Sequence, residues 1–135
     1  MNKKLVYLAT PYSFTVKSKE IGLTRPDYSE QEREIRQKRF EAVNKVASKL
    51  MEKGFMIFSP ISHSHPIASQ CDMDSSFETW AEFDFALISR CDMVFVYCQK
   101  GWEDSRGVEN EAMFAVKHGI PVIYIDENLT ILKTE

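Results

Sequence analysis

The sequence predicts a single α/β domain over residues 1–135. The expected architecture is a doubly wound parallel sheet of four to five strands inside a three-layer sandwich. Three observations lead there. Short apolar runs alternate with longer segments whose apolar residues recur every three or four positions, the mark of strands alternating with helices. Two of the longer segments open on a Ser-x-x-Glu capping box. No repeat, low-complexity tract or linker divides the chain, which is long enough for one domain with a core of its own. Alternating strands and helices give a parallel sheet covered on both faces.

The elements follow in order. Residues 4–9 read as a short buried strand. Residues 10–28 are polar and irregular, with Pro11, Gly22 and Pro26, and a loop this long inside a small domain is usually functional, often a lid. Ser29-x-x-Glu32 opens a helix with Ile35, Phe40, Val43, Ala47 and Leu50 on one face, and Gly54 stops it. Residues 55–59 are a second strand, and residues 60–74 a second long loop carrying His63 and His65. Ser75-x-x-Glu78 starts a helix to about residue 90, whose inward face collects Phe77, Trp80, Leu87 and Ile88. Residues 92–98 form a third strand, 105–118 a third helix, and 121–125 a fourth strand. A short fifth strand is read over 130–133. Right-handed crossovers give the flavodoxin-like order 2-1-3-4-5 and put ligands at the carboxyl ends of the strands. The expected site is therefore built from the segments after Ala9, Ser59 and Cys98.

Composition narrows the function. The chain is 44% hydrophobic and 27% charged, with a net charge of −3. That balance, with no basic stripe, argues against a nucleic-acid partner and for a small ligand. The apolar run after the N-terminus is too short for a signal h-region or a membrane span, so a cytoplasmic protein with no membrane partner is expected. Cys71, Cys91 and Cys98 lack metal-ligand spacing and read as small buried thiols.

The stretch 104–111, Asp-Ser-Arg-Gly-Val-Glu-Asn-Glu, is the most informative. A strand that turns through Gly into a helix presents free backbone N–H groups and a positive dipole end. Ser105 can cap that helix, with Arg106 and Gly107 behind it. Glu111 lies within the first two turns. It is three after Val108 and four before Ala115, on the flank of the buried face. It is either an ordinary exposed glutamate or a carboxylate that must be satisfied, paired or used. Asp84 is four after Trp80 and three before Leu87, on an apolar face. Burial there raises a carboxyl pKa, as a general acid requires, and a structural Asp capping a loop is the other reading. Tyr7 ends near the expected mouth or is a half-buried strand tyrosine. His63 and His65 have no third ligand at recognisable spacing, so no metal is expected and contact with a base or an anion is the better reading. Trp80 reads as core, whereas Trp102 follows a strand end and can flank a flat ligand. There is no Walker A, no Gly-x-Gly-x-x-Gly and no Ser-His-Asp order.

Three blocks, in order, resemble the nucleoside 2-deoxyribosyltransferase superfamily, and within it the deoxynucleoside 5′-monophosphate N-hydrolases and a branch of short phage and bacterial proteins. Tyr7-Leu8-Ala9-Thr10-Pro11-Tyr12-Ser13 resembles the N-terminal strand with its sugar-contacting tyrosine. Asp84, eight residues before Asp92, resembles the helix aspartate. Ser105-x-Gly107-Val108-x-x-Glu111, with Ala115 and Gly119-Ile120-Pro121-Val122, resembles the nucleophile block.

The resemblance implies cleavage of an N-glycosidic bond without metal or organic cofactor. Glu111 would attack C1′ to give a glycosyl-enzyme that water or a second base resolves. Asp84 would protonate or hold the departing base, and Tyr7 would orient Glu111. Ser105 and the helix amides would hold the sugar's 5′ end. Thr10, Ser13, His63, His65, Trp102, Arg106 and Gly107 complete the expected binding set. A homodimer or higher oligomer is implied too. Transferases acting on free nucleosides carry an acid where Ser105 stands, and the monophosphate hydrolases carry a serine. The hydrolases' Gly-Ser-x-Arg phosphate loop is replaced here by Thr10-Pro11-Tyr12-Ser13, which leaves Lys17, Lys19 or Arg25 to substitute. The alternatives are a deoxyribosyltransferase, a non-catalytic nucleotide-binding or sensing domain, and a glycosidase acting on an NAD- or ADP-ribose-like signal.

Overall fold

A computed structural model describes residues 3–12, 25–71 and 77–135, and of residues 25–29 and 77–79 the backbone alone. The elements are β1 (Leu5–Ala9), α1 (Arg25–Glu52), β2 (Met56–Phe58), α2 (Pro60–Cys71), α3 (Phe77–Ile88), β3 (Met93–Tyr97), a 3₁₀ turn (Trp102–Asp104), α4 (Arg106–Lys117), β4 (Val122–Ile125) and β5 (Ile131–Thr134). They build one five-stranded sheet in the order β2-β1-β3-β4-β5, as the sequence predicts.

The sheet is mixed, which corrects the parallel expectation. β1 pairs in parallel with β2 and β3, and β3 with β4, but β5 runs antiparallel to β4. The cause is the connection. Residues 126–130 make a tight turn in which Asp126 Oδ1 accepts from the amides of Asn128 and Thr130 at 2.8 and 3.0 Å. A turn that short permits only a hairpin, because a parallel return needs a dozen or more residues.

Two boundaries also move. α1 begins at Arg25, four residues before the expected capping box, with Pro26 in its first turn. Proline suits that position because the first helical N–H groups have no intrahelical partner. The expected loop at 60–74 is helix over Pro60–Cys71, although Pro66 lies inside it. Packing overrides weak propensity there. His65 and Ala68 are buried, and His65 lies 4.6 Å, centroid to centroid, from Phe40 of α1.

Alternate strand residues feed two separate cores, as a pleated strand requires. Tyr7, Ala9, Val94, Val96, Val122 and Tyr124 pack with Ile88 of α3 and with Val108, Ala112 and Ala115 of α4. Val6, Leu8, Phe95, Tyr97 and Ile125 pack with Val43, Val46, Ala47 and Leu50 of α1. Each fully buried Val or Leu contributes about 1.5–3 kcal/mol. Gly54 ends α1 at φ 100°, a left-handed conformation that lets the chain turn back into β2.

The three cysteines are free, but Cys71 is exposed and Cys91 and Cys98 are half-buried, which corrects the reading of buried thiols. Among the described residues no helix is long and apolar enough to cross a membrane.

Candidate active site

α4 begins where the sequence places a cap. Ser105 sits at φ −80°, ψ 113°, and its side chain accepts from the Val108 amide at 3.2 Å. This satisfies one of the orphan amides of the first turn. The buried residues of α4 are Val108, Glu111, Ala112 and Ala115, a spacing of three, four and seven that marks an inward stripe. Glu111 therefore occupies a core position. It is 6% exposed, which rules out the exposed-glutamate reading, while Glu109 and Lys117 face solvent.

A carboxyl in such a place needs a partner, and β1 supplies one. The Tyr7 hydroxyl, fully buried, donates to Glu111 Oε2. Asp84 of α3 is close enough for its charge to act on both Glu111 and Tyr7. Its Oδ1 is buried with no hydrogen-bond partner. Burial and the neighbouring Asp84 charge push the Glu111 carboxyl up to about 8, with the Tyr7 bond opposing. Burial pushes Asp84 up to about 7, again opposed by Tyr7. Burial first, then the two carboxylates, raises the Tyr7 phenol well above its ordinary value. Two neighbouring carboxyls, Glu111 buried and Asp84 half-buried, cannot both ionise cheaply, so near neutrality the pair retains a proton.

Aromatic rings extend from Tyr7 on one side. Sheet register pairs Tyr7 with Phe58, and their ring centroids are 6.4 Å apart. Phe58 lies 5.8 Å from His63, which stacks on Phe83 at 5.6 Å and 19°. Trp80, half-buried, meets Phe83 edge-on at 6.1 Å. The exposed His63 thus belongs to the wall that Tyr7 begins. Sequence reasoning missed Phe58 and Phe83. The signal for Phe58 was the parallel pairing of two apolar runs, but only the register shows which side chains share a face.

His65 is elsewhere. It is buried between Tyr12 and α1, where its Nε2 lies 2.9 Å from Gln37 Oε1 and its Nδ1 contacts the Tyr12 hydroxyl. Gln37 Nε2 donates to Glu41 Oε2 at 2.9 Å, which turns the amide oxygen toward His65. Burial and Arg36 lower the His65 pKa, so the ring is neutral, with Nε2–H donating to Gln37 and Nδ1 accepting from Tyr12. Both ring nitrogens are used. Among the described residues no group of three or more His, Cys, Asp or Glu is placed to hold a metal ion.

The remaining predicted residues scatter. Thr10 is buried at the end of β1, where its hydroxyl donates to the Tyr97 carbonyl at 2.8 Å and accepts from Gln99 at 2.9 Å. Trp102 packs on Tyr124 at 5.4 Å, with the Lys133 ammonium over both rings. Arg106 and Gly107 lie in the first turn of α4. Ser13, Lys17 and Lys19 fall outside the described residues, as do the side chain of Arg25 and the capping box at Ser75 and Glu78.

Residues 4–127 match a family described as a domain of unknown function (DUF1937). The chain belongs to this family. The matched span runs from the residue before β1 to the turn after β4, so it contains Tyr7, Asp84 and Glu111. No curated relative matches the chain.

Proposed function

We propose that this DUF1937 chain cleaves the N-glycosidic bond of a (deoxy)nucleoside 5′-monophosphate through a covalent glycosyl-enzyme on Glu111. The observation that carries the reading is the buried Tyr7–Glu111 hydrogen bond with the half-buried Asp84 near it. Two neighbouring carboxyls with raised pKa values, one of them held by a phenol, suit a nucleophile and an acid at once. In a three-layer, doubly wound arrangement this cluster lies beside the switch in strand order between β1 and β3. The ordered resemblance to the nucleoside 2-deoxyribosyltransferase superfamily supports the same reading.

Glu111 attacks C1′ as the bond to the base nitrogen breaks, and Asp84 gives its proton to that nitrogen. Positive charge growing on the sugar favours the ionised form of Glu111, against which it develops. Water then attacks C1′, Asp84 takes its proton, and Glu111 leaves as a carboxylate. Phe58, His63 and Phe83 offer flat surfaces to the departing base. Incubation with a panel of nucleosides, nucleotides and NAD, read as free base, tests the proposal. Release from none of them overturns it. Release that needs an added acceptor base favours a deoxyribosyltransferase.

Asp84→Asn is expected to lower kcat by about 100-fold or more while KM moves little, because the group acts on the leaving base. A large change in melting temperature with an unchanged rate makes Asp84 a structural carboxyl instead.

A 5′-monophosphate is expected to be used better than its free nucleoside by about tenfold or more in kcat/KM. The Ser105 oxygen accepts from Val108, but its hydroxyl proton remains available to a phosphate beside the first-turn amides of α4. Equal kcat/KM for the two substrates counts against a phosphate subsite at Ser105.

A further inference from the structure

We propose that His65 is a pH-operated switch for the Tyr12 hydroxyl. When the imidazole takes up a proton, the hydroxyl turns outward and the chain after β1 becomes a donor site for an oxyanion. The switch is separate from the Tyr7–Glu111 pair, and it holds whether or not the chain cleaves a nucleotide. It rests on three hydrogen bonds in series. The Tyr12 hydroxyl meets His65 Nδ1, His65 Nε2 lies 2.9 Å from Gln37 Oε1, and Gln37 Nε2 lies 2.9 Å from Glu41 Oε2.

The far end of the series fixes the near end. A flipped Gln37 amide would set its oxygen against the Glu41 carboxylate, so the amide nitrogen stays on Glu41 and the oxygen stays on His65. That oxygen can only accept, so His65 Nε2 carries a hydrogen in both charge states. Nδ1 is the atom that titrates. While Nδ1 is bare it accepts, and the Tyr12 hydroxyl donates to it. Once Nδ1 is protonated it donates, and the Tyr12 oxygen accepts. One proton comes from solvent, one N–H bond forms, and no other covalent bond changes. The ring keeps both neighbours. The phenolic hydrogen alone swings, about the C–O bond, to the side away from His65.

The charges around the ring make the protonated state costly alone and favourable with an anion. From α1, the Arg36 guanidinium stands 5.1 Å from the Tyr12 ring centroid and binds Glu32 at 2.6 Å. The Phe40 ring of α1 covers the imidazole, and Glu41 is reached through Gln37. α2 itself carries no Asp, Glu, Lys or Arg, and its other histidine, His63, turns to Phe58 and Phe83. Among the described residues no carboxylate pairs with His65. Burial, then Arg36, therefore hold the ring neutral. An oxyanion on the half-buried Tyr12 would meet the outward hydroxyl with the imidazolium behind it and Arg36 beside it. Anion and proton thus bind together, each raising the affinity for the other.

On the full chain, nitrogen NMR of the His65 ring and the infrared C–O stretch of Tyr12 read the two ends of the switch as pH is lowered. Above the midpoint the ring should be the Nε2–H tautomer and the phenol a donor. Below it the ring should hold both hydrogens and the phenol should accept, with one midpoint for the two signals. Sodium sulfate should raise that midpoint by about one pH unit over sodium chloride at equal ionic strength, a coupling of about tenfold. Tyr12→Phe keeps the ring beside Arg36 but has no hydroxyl. Its His65 should still titrate, with the sulfate shift lost. An Nδ1–H tautomer above the midpoint, or a Tyr12 stretch that ignores the titration of His65, overturns the switch. Equal midpoints in sulfate and chloride overturn the oxyanion site, as does a sulfate shift that Tyr12→Phe keeps in full. Should Tyr12→Phe fail to fold, the wild-type tautomer, stretch and sulfate shift decide.

Discussion

Glu111→Gln should abolish base release, lowering kcat/KM by on the order of 10⁴-fold or more, and leave the fold intact. An amide has the shape of the carboxyl but cannot form the glycosyl ester. It keeps an oxygen for the Tyr7 hydroxyl, and its stem keeps its place in the stripe with Val108, Ala112 and Ala115. The loss should therefore appear with an unchanged circular-dichroism spectrum. With a 2′-fluorinated nucleotide, the wild type should gain the mass of one fluorinated sugar phosphate and the variant none. Near-normal turnover in Glu111→Gln removes the nucleophile.

The second large effect is on stability, and it runs opposite to the activity loss. The folded-state pKa values of Glu111 and Asp84 stand at about 8 and about 7, above their ordinary 4.5 and 3.8. A carboxyl raised by folding contributes its stability fully below its ordinary pKa and loses it as pH climbs to and through the folded value. Every tenfold difference in proton affinity between the folded and unfolded chain corresponds to about 1.4 kcal/mol. Wild-type melting temperature should thus fall between pH 5 and pH 9. Glu111→Gln removes one buried charge and frees Asp84 from a like neighbour. Its fall over the same range should be smaller by on the order of 10 °C. At pH 5, where both carboxyls are protonated, the two proteins should melt close together. Parallel curves across the range mean that Glu111 is not charged at a cost in the folded protein.

The parts of the fold written in local sequence were readable. β1, β3 and β4 are apolar runs of the right length, and Ser105 announces α4 because a cap acts within three residues. Glu111 was half readable: its spacing put it at the edge of the buried stripe, and only the pairing with Tyr7 showed that it lies inside. α2 was not readable, because Pro66 and five Ser and His residues carry no helical period, and contact with α1 decides its conformation. The direction of β5 depends on how tightly residues 126–130 turn, which composition does not show. His63 and His65 look equivalent in sequence. One turns toward Phe83 and the other toward Gln37, because neighbours two apart on a helix face different ways.

The chain of donors that begins at Tyr12 has a polarity. Each link, from Tyr12 through His65 and Gln37 to Glu41, hands its proton the same way, and bonds in series reinforce one another. The phenol has spent its only proton inward. Among the described residues, and with His65 neutral, what remains on the Tyr12 oxygen beyond β1 is its lone pairs, with the Arg36 guanidinium 5.1 Å from the ring centroid. Such an atom greets a hydroxyl or an amine and turns away an anion's oxygen. Whatever meets Tyr12 must bring a proton of its own.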